Sequence, residues 1–452
     1  MVPLPLLMNP LARSAERHLG FPVMPGAFPV LGHFPAITWN IREFIIEGER
    51  RLGPLFWIRI SSEKIQLVCT TEEAFAIYRN KATNSEPFNE VSPLLVEGTL
   101  ITLDGPPHQR LRSALNQPFT PRGLGAGQVG AIVASIIEER VRSWAAQGEI
   151  AALQQTRELV LEAFFRIIGV EGADVAAFRH HYEELTLDLL PFRVNVPGSP
   201  VWRAARARAW LDPRLLELIE RARRDPEASG FIAQLARARS DTGEALSNVE
   251  LVSNLRLLVF AGHETTASVM AWMLFVLAEQ PELFDRLREE ACAAPGVPRS
   301  PEELRRFPFA EGLFRETLRL YPPLWIDIRQ VTGELTLAGQ RIPEGIDVSV
   351  CLGHLSRSPS RYPDPERLRP ERWMERKEPM TPLETIQFGG GPHFCLGYHL
   401  AWMEMVQLGV ALGRVLGAAG LRPRLVGGRT PRAVTFPLMR PPRGARVAFA
   451  FG

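Results

Sequence analysis

Cysteine and lysine are the scarcest chemically informative residues in this sequence. The four cysteines among 452 residues, at positions 69, 292, 351 and 395, form no CxxC pair. Their wide spacing argues against a zinc site and against the disulfide framework of a small secreted protein. Lysine occurs only at positions 64, 81 and 377 among 52 basic residues, and this excess of arginine indicates a GC-rich bacterial genome. The cysteine usage fits a reducing cytoplasm.

Excess charge, linkers and repeats are also absent. A net charge of +2 gives the chain no overall attraction to nucleic acid. Length alone would suggest roughly three domains, but we find no Ser/Gly linker, no low-complexity block and no repeat at solenoid or propeller spacing. With 46% hydrophobic and 23% charged residues, the composition is that of an ordinary globular protein with a large core.

The N-terminus lacks an apolar run of the length that a membrane-spanning helix requires. The apolar start from Val2 to Met8 is interrupted by Pro3 and Pro5, and it is far shorter than the ~20 residues of a spanning helix. No basic segment precedes it, so a signal peptide is not predicted either. We expect residues 1–20 to be a loose leader, and we predict no transmembrane anchor and a cytoplasmic location.

The stretch Phe388–Gly397 sets one cysteine in a glycine-rich loop just before a helix predicted to begin near Leu396. Glycine lets the backbone approach a flat ligand closely. Amide N–H groups at the start of the helix would stabilise a thiolate. The loop therefore predicts that Cys395 is a pre-ionised axial ligand of a metal. The alternative is a buried structural cysteine, since free cysteine is among the most buried residue types.

A helix predicted over about Asn248 to Glu279 is apolar almost all round, so we expect it to be buried. The sequence AGHETT, residues 261–266, lies near its middle. Glycine weakens a helix interior and an unpaired buried carboxylate is unfavourable, which favours a functional explanation. The alternative for Thr265 is a hydroxyl bonded to a carbonyl of its own helix. His263 is expected on a different face from Glu264, without a functional role.

Two charged pairs occur at helical spacing. His108 and Arg112, at i and i+4 after two prolines, would share one face of a helix, where a guanidinium can bind a carboxylate through two hydrogen bonds. A solvated helix face is the alternative. Glu316 and Arg319, at i and i+3, precede a Tyr-Pro-Pro stop, and such a pair is commonplace on its own.

The pattern Phe-x-x-Gly-x-x-x-Cys-x-Gly, formed by Phe388, Gly391, Cys395 and Gly397, resembles the haem-ligand loop of the cytochrome P450 family. The resemblance implies that Cys395 holds the haem iron from one face and leaves the other face open to oxygen and substrate. It also implies that Phe388 is among the cofactor-binding residues.

The AGHETT segment resembles the distal oxygen-binding helix of the same family. The resemblance implies that Ala261 and Thr265 share the face towards the iron, and that Gly262 permits a local kink or a widened turn. Thr265 would hydrogen-bond dioxygen and Glu264 would relay protons to it.

Other segments resemble the family in the same order along the chain. His108, Arg112, Arg329 and His393 are implied to bind the haem propionates. A buried network behind the haem would comprise Glu316, Arg319 and Arg372. The substrate pocket would be lined by Leu324, Trp325 and Ile326. Residues 189–200 resemble the mobile lid over the substrate channel.

The resemblance extends from Phe21 to the C-terminus. It implies a mainly α fold with small β-sheets (α+β), a single haem-containing domain over residues 21–452, and haem b as cofactor. The implied reaction inserts one oxygen atom from O2 into a hydrophobic organic substrate by hydroxylation or epoxidation. Electrons would come from a separate ferredoxin and its reductase, because no GxGxxG fingerprint follows a credible strand. We expect a monomer of bacterial secondary metabolism.

Two other functions remain open at this point. One is a haem-thiolate peroxygenase or an isomerase/dehydratase, against which the acid Glu264 and the alcohol Thr265 count, because such enzymes have less need of a proton relay. The other is a non-catalytic carrier of haem or a small ligand.

Overall fold

The computed structural model describes residues 19–61, 64–79, 82–85, 87, 93–189, 194–376 and 378–451. The predicted leader, residues 1–20, lies outside the described residues except for its last two positions. Residues 190–193 of the predicted lid lie outside them as well. The division into a leader and one domain over residues 21–452 therefore stays a prediction.

Helices make up most of the described chain, which confirms the prediction of a mainly α protein with small β-sheets. In chain order the helices are α1 (Phe34–Leu52), α2 (Ala74–Arg79), α3 (Pro93–Val96), α4 (Gly105–Asn116), α5 (Pro121–Ala126), α6 (Val129–Gln147), α7 (Ala152–Ile167), α8 (Asp174–Leu185), α9 (Pro200–Arg224), α10 (Phe231–Ala236), α11 (Asn248–Glu279), α12 (Pro281–Ala293), α13 (Pro308–Leu320), α14 (Leu352–Leu355), α15 (Glu371–Met374) and α16 (Tyr398–Ala418).

The strands form small sheets. They are β1 (Leu55–Arg59), β2 (Ile65–Cys69), β3 (Thr83–Asn84), β4 (Glu149–Ala151), β5 (Asp327–Val331), β6 (Leu335–Leu337), β7 (Gln340–Ile342), β8 (Asp347–Val350), β9 (Leu421–Leu425) and β10 (Arg446–Phe451). One sheet has the order β1-β2-β8-β5-β3, a second has the order β4-β10-β9, and β6 pairs with β7. All pairings are antiparallel except that of β2 with β8.

The central helix α11 has the bounds that the sequence predicts. A capping box starts it: the Ser247 hydroxyl accepts a hydrogen bond from the Glu250 N–H, and the Glu250 carboxylate accepts one from the Ser247 N–H. Most of its residues are buried on both sides of the AGHETT segment. The helix therefore runs through the core, as an all-round apolar sequence predicts.

Two of the described helices, α11 and α16, are long and apolar enough to cross a membrane by length and composition. Within the protein, 67% of the most apolar window of α11 and 72% of that of α16 are buried. Buried core helices of soluble proteins pass the same test, so this finding is weak evidence for a membrane span.

The predicted structural residues lie together where α13, which carries Glu316 and Arg319, meets α15, which carries Arg372. The Arg319 guanidinium donates two hydrogen bonds to the Glu316 carboxylate, at 2.7 and 2.9 Å, and neither side chain is exposed. Arg372 Nε lies 3.4 Å from the same carboxylate, and the indole of Trp373 donates to it at 2.9 Å. Arg319 also donates to the Pro365 carbonyl at 2.6 Å. The network ties α13 to the segment that leads into the cysteine loop.

Helix α16, which follows that loop, buries the carboxyl group of Glu404. Burial raises the pKa of Glu404 to about 8, because a buried charge has lost its hydration. The folded protein therefore holds a proton on this group at a pH where the unfolded chain has released it.

We expect Glu404→Gln to remove a pH dependence of stability. Between about pH 4.5 and the folded pKa of about 8, folding takes up one proton, so the contribution of Glu404 to the unfolding free energy falls by at most ~1.4 kcal/mol per pH unit as the pH rises. Urea unfolding of the variant and the wild type at pH 5, 6, 7 and 8 checks this. The unfolding free energy of Glu404→Gln, relative to that of the wild type, should rise with pH. The exposed control Glu97→Gln should show no such trend. A difference between Glu404→Gln and the wild type that stays constant with pH would contradict the prediction.

Candidate functional site

The loop that carries Cys395 is shaped by one position where only glycine fits. Gly391 has φ +60°, and a Cβ built there would lie 2.0 Å from the Tyr78 carbonyl oxygen on α2. The loop closes on itself where the Cys395 N–H donates to the Phe388 carbonyl at 2.9 Å. The Phe388 ring packs edge-on against Tyr398 at 4.8 Å. Contacts at both ends of the loop therefore fix the position of the sulfur.

The environment of Cys395 differs in two ways from the sequence-based expectation. Helix α16 begins at Tyr398, two residues later than predicted. Burial raises the pKa of the Cys395 thiol, whereas the Gly397 amide and the positive charge of Arg112 oppose this shift. A facing cation would oppose it further, because it stabilises a thiolate, and the role of Cys395 as a metal-bound thiolate stays a prediction.

Helix α11 is accessible over one short stretch. Ala261 is exposed and Phe260, Gly262 and Thr265 are partly exposed, although the helix is buried on both sides of them. Ala261 and Thr265 lie one turn apart, so they share this open face. The helix continues through Gly262 without the predicted kink or widened turn, with no non-helical residue in its span. This opening is where a ligand would meet the core helix.

The two polar side chains of the segment make different contacts. The Thr265 hydroxyl donates to the Ala261 carbonyl at 2.6 Å, so it is bonded to the backbone of its own helix. Glu264 pairs instead with Arg157 on α7, whose Nη2 lies 2.5 Å from the carboxylate. Arg157 was missed by sequence reasoning because it stands 107 positions away, and no local pattern links it to Glu264.

The four predicted propionate ligands lie close together. The imidazole rings of His108 and His393 are 4.2 Å apart. The pKa of His108 is lowered to about 4, first by burial and then by the positive charges of His393, Arg112 and Arg329. Arg112 is also near enough to Cys395 to stabilise a thiolate there. The structure therefore brings a cluster of basic side chains to the cysteine loop.

Two aspartates that the sequence did not reveal complete this cluster. His393 Nε2 lies 2.9 Å from Asp104 Oδ1, and Asp104 Oδ2 accepts hydrogen bonds from the N–H and hydroxyl of Ser85. Asp104 occupies the N-cap position of α4 without capping it. Asp327 lies 3.6 Å from Arg329 Nε and accepts a hydrogen bond from the Tyr78 hydroxyl at 2.7 Å. In the sequence, Asp104 stands before Gly-Pro-Pro, a pattern typical of a helix N-cap. That pattern gives no indication that Asp104 pairs with His393.

The arrangement fits a flat ligand that carries a metal and carboxylates. His108 Nε2 and Arg329 Nε are buried without a hydrogen-bond partner among the described residues, and such groups are unfavourable until they are satisfied. Carboxylate oxygens would accept from both groups, and they would join Asp104 and Asp327 in balancing the positive charge. Cys395 lies beside the same cluster.

The three predicted pocket residues have separate environments. Leu324 is 37% exposed, as expected for a residue at an open pocket. Trp325 is only 3% exposed and packs under Gly353, where a Cβ would come within 2.3 Å of the indole. Ile326 is partly buried beside the apolar cluster that contains Trp325 and α1. The Trp325 ring is thus closely packed, and the assignment of all three residues to the substrate pocket stays a prediction.

Comparison with known proteins finds relatives over almost the whole chain. The family model described as Cytochrome P450 matches residues 175–417. The Cytochrome P450 BJ-4 homolog of Sinorhizobium fredii is 38% identical over 445 residues, which cover 98% of this chain and 100% of that protein. Cytochrome P450 BJ-4 of Bradyrhizobium diazoefficiens is 37% identical with the same coverage. The solved structure of retinoic acid bound cyanobacterial CYP120A1 matches with a TM-score of 0.80 and 25% identity, covering 95% of this chain and 99% of that chain.

We expect the double variant His108→Ala/Arg112→Ala to release haem faster, because it removes two donors to the propionates. Charge-assisted hydrogen bonds contribute ~1.5 to 3 kcal/mol each, so haem transfer to an excess of apomyoglobin should accelerate by about tenfold or more. Arg110→Gln is the matched control, since Arg110 lies on the same helix but pairs with Glu250. A double variant that releases haem at the rate of the control would contradict the propionate assignment.

Proposed function

This chain belongs to the cytochrome P450 family and is a haem-dependent monooxygenase, and from that premise we propose the finer function of its site. We propose that the cofactor is haem b and that one oxygen atom of O2 enters a hydrophobic organic substrate by hydroxylation or epoxidation. The overall balance is substrate, O2, two electrons and two protons giving oxygenated product and water. The observation that carries this proposal is the cluster of basic side chains beside the Cys395 loop.

In the proposed site, Cys395 would ligate the iron, and the basic residues His108, Arg112, Arg329 and His393 would hold the propionates. When bound, haem b supplies the iron at which O2 is activated. Phe388, the first residue of the loop, packs edge-on against Tyr398 at the start of α16 and so supports the loop from its beginning.

Ala261, Thr265 and Glu264 are proposed to serve the oxygen side. The small side chain of Ala261 leaves room at the open face of α11. The Thr265 hydroxyl donates to the Ala261 carbonyl, so its oxygen keeps lone pairs that can accept a hydrogen bond from a water. Glu264 is the nearest carboxylate in sequence, and we assign it the proton relay to Thr265 through water.

The substrate is proposed to be apolar because partly buried apolar side chains pack against the core that contains α11. Phe260, Leu94, Ile101 and Leu103 are partly buried hydrophobic residues against the core that contains α11, and Leu324 is exposed. The solved relative is described with retinoic acid bound, which supports including carboxylated terpenoids among the candidates. Fatty acids and polyketides are further candidates.

Cytochromes P450 generally receive electrons from redox partners. For this chain we propose a ferredoxin and its reductase, acting on a monomer in the cytoplasm. The GxGxxG spacing at residues 125–130 spans the junction of helices α5 and α6 and follows no strand, so it does not form a dinucleotide-binding site. A role in bacterial secondary metabolism is part of the same proposal.

The experiment that tests the function uses haem-loaded protein, NADPH, a surrogate ferredoxin and its reductase, and a panel of retinoic acid, lauric acid and a macrolide precursor. Compounds that shift the haem spin state are incubated under 18O2. The product should gain a single 18O atom. Turnover with hydrogen peroxide but never with the reductase system would favour a peroxygenase, and no spin-state shift or turnover with any compound would favour a carrier.

In the same assay we expect Thr265→Ala to keep haem and substrate binding while diverting electrons to hydrogen peroxide, because the hydroxyl next to the open face is lost. Loss of one acid–base group typically lowers the rate of a proton-dependent step by ~100-fold or more. Thr266→Ala is the matched control, because Thr266 is the next residue in the helix and its hydroxyl is buried away from the open face. Full coupling of electrons to product in Thr265→Ala would argue against the relay.

A further inference from the structure

The Glu264 carboxylate is held by a residue from a neighbouring helix. Arg157 Nη2 donates to Glu264 Oε2 at 2.5 Å, and each side chain is only 18% exposed. One residue earlier on α7, the Thr156 hydroxyl donates to the Ala267 carbonyl at 2.9 Å, which joins α7 to α11 at this level. The ion pair is therefore part of a fixed contact between the two helices.

This contact turns Glu264 away from the open face of α11. Consecutive residues of an α-helix are separated by about 100° around its axis, and Thr265 lies on the open face with Ala261. Glu264, one position earlier, points its carboxylate towards α7. In this state the acid and the alcohol of the relay do not hydrogen-bond to one another directly.

The other groups around Glu264 do not replace Arg157. His263 Nδ1 is 3.7 Å from Glu264 Oε1, too long for a direct hydrogen bond. Burial lowers the pKa of His263 to about 4, so the ring is neutral at pH 7. The pKa of Arg440 is lowered by burial first and by its neighbours Arg157 and Arg443 next, with an opposing attraction from Glu264. Arg157 is the cation in contact with the carboxylate.

We propose that Arg157 is a positioning residue for proton delivery, which holds the Glu264 carboxylate oriented towards α7 until it turns to the open face. This inference rests on the proposed relay through Glu264 and Thr265. A fixed cation keeps the carboxylate in a single orientation, and misplacing a catalytic group by about 1 Å lowers a rate by up to ~100-fold. Without Arg157, Glu264 loses the cation that its carboxylate contacts and keeps the electrostatic attraction of Arg440.

The test needs no identified substrate. Haem-loaded protein is supplied with NADPH, a surrogate ferredoxin and its reductase in air, without added substrate. Two electrons and two protons reduce O2 to hydrogen peroxide, whereas four electrons and four protons reduce it to two waters. The ratio of peroxide formed to NADPH consumed therefore reports how well protons are delivered.

We expect Arg157→Gln to raise the peroxide-to-NADPH ratio, with the water-forming rate falling by about tenfold. Arg157→Lys should restore most of the wild-type ratio, because it retains the charge and one donor. Arg140→Gln is the matched control, since it breaks the Arg140–Glu162 pair between α6 and α7 without touching α11. Haem content and reduced-CO spectra of all variants show that they are folded.

A second readout is independent of turnover. Crystal structures of the haem-loaded wild type and Arg157→Gln should show the Glu264 carboxylate against α7 only when Arg157 is present. If Glu264→Gln raises the peroxide ratio and Arg157→Gln leaves both the ratio and the carboxylate position unchanged, the inference is overturned and the relay stands. An unchanged ratio in Glu264→Gln would overturn the relay itself, and this inference with it.

Discussion

The site depends on the close approach of two backbone segments, at Gly391 in the cysteine loop and Tyr78 on α2. No side chain fits between them, so the loop lies directly on α2. Tyr78 then extends the same contact to the basic cluster, because its hydroxyl donates to Asp327, and the Arg329 guanidinium lies over its ring. Tyr78 thus contacts both the loop that carries Cys395 and the Arg329 guanidinium.

Burial affects several polar groups of the site. It raises the pKa of the Cys395 thiol, and it leaves His108 Nε2 and Arg329 Nε without a hydrogen-bond partner in the part of the chain that the structure describes. A metal facing the sulfur and carboxylates facing the cluster would satisfy these groups together. By contrast, the structural pair Glu316 and Arg319 is satisfied within the protein, which is the expected difference between a scaffold and a binding site.

Local sequence patterns predict those parts of the structure that depend on neighbouring residues in the chain. The bounds of α11 follow from its capping box and its apolar sequence, and the loop around Cys395 follows from its glycines. Arg157 and Asp104 could not be predicted as partners, because their contacts join residues 107 and 289 positions apart. The packing of Trp325 under Gly353 could not be predicted either, because an apolar residue near a pocket and one in the core have the same local pattern. Proximity in sequence also could not show that Glu264 turns towards α7.

The central claim is that Cys395 is the thiolate ligand of a haem held between its loop and the open face of α11. The most direct test is the absorption spectrum of the reduced, CO-saturated protein, for the wild type and for Cys395→Ala, with the buried Cys351→Ala as control. Thiolate ligation predicts a strongly red-shifted Soret band in the wild type and the control, and its loss in Cys395→Ala. A red-shifted band that survives in Cys395→Ala would contradict the account.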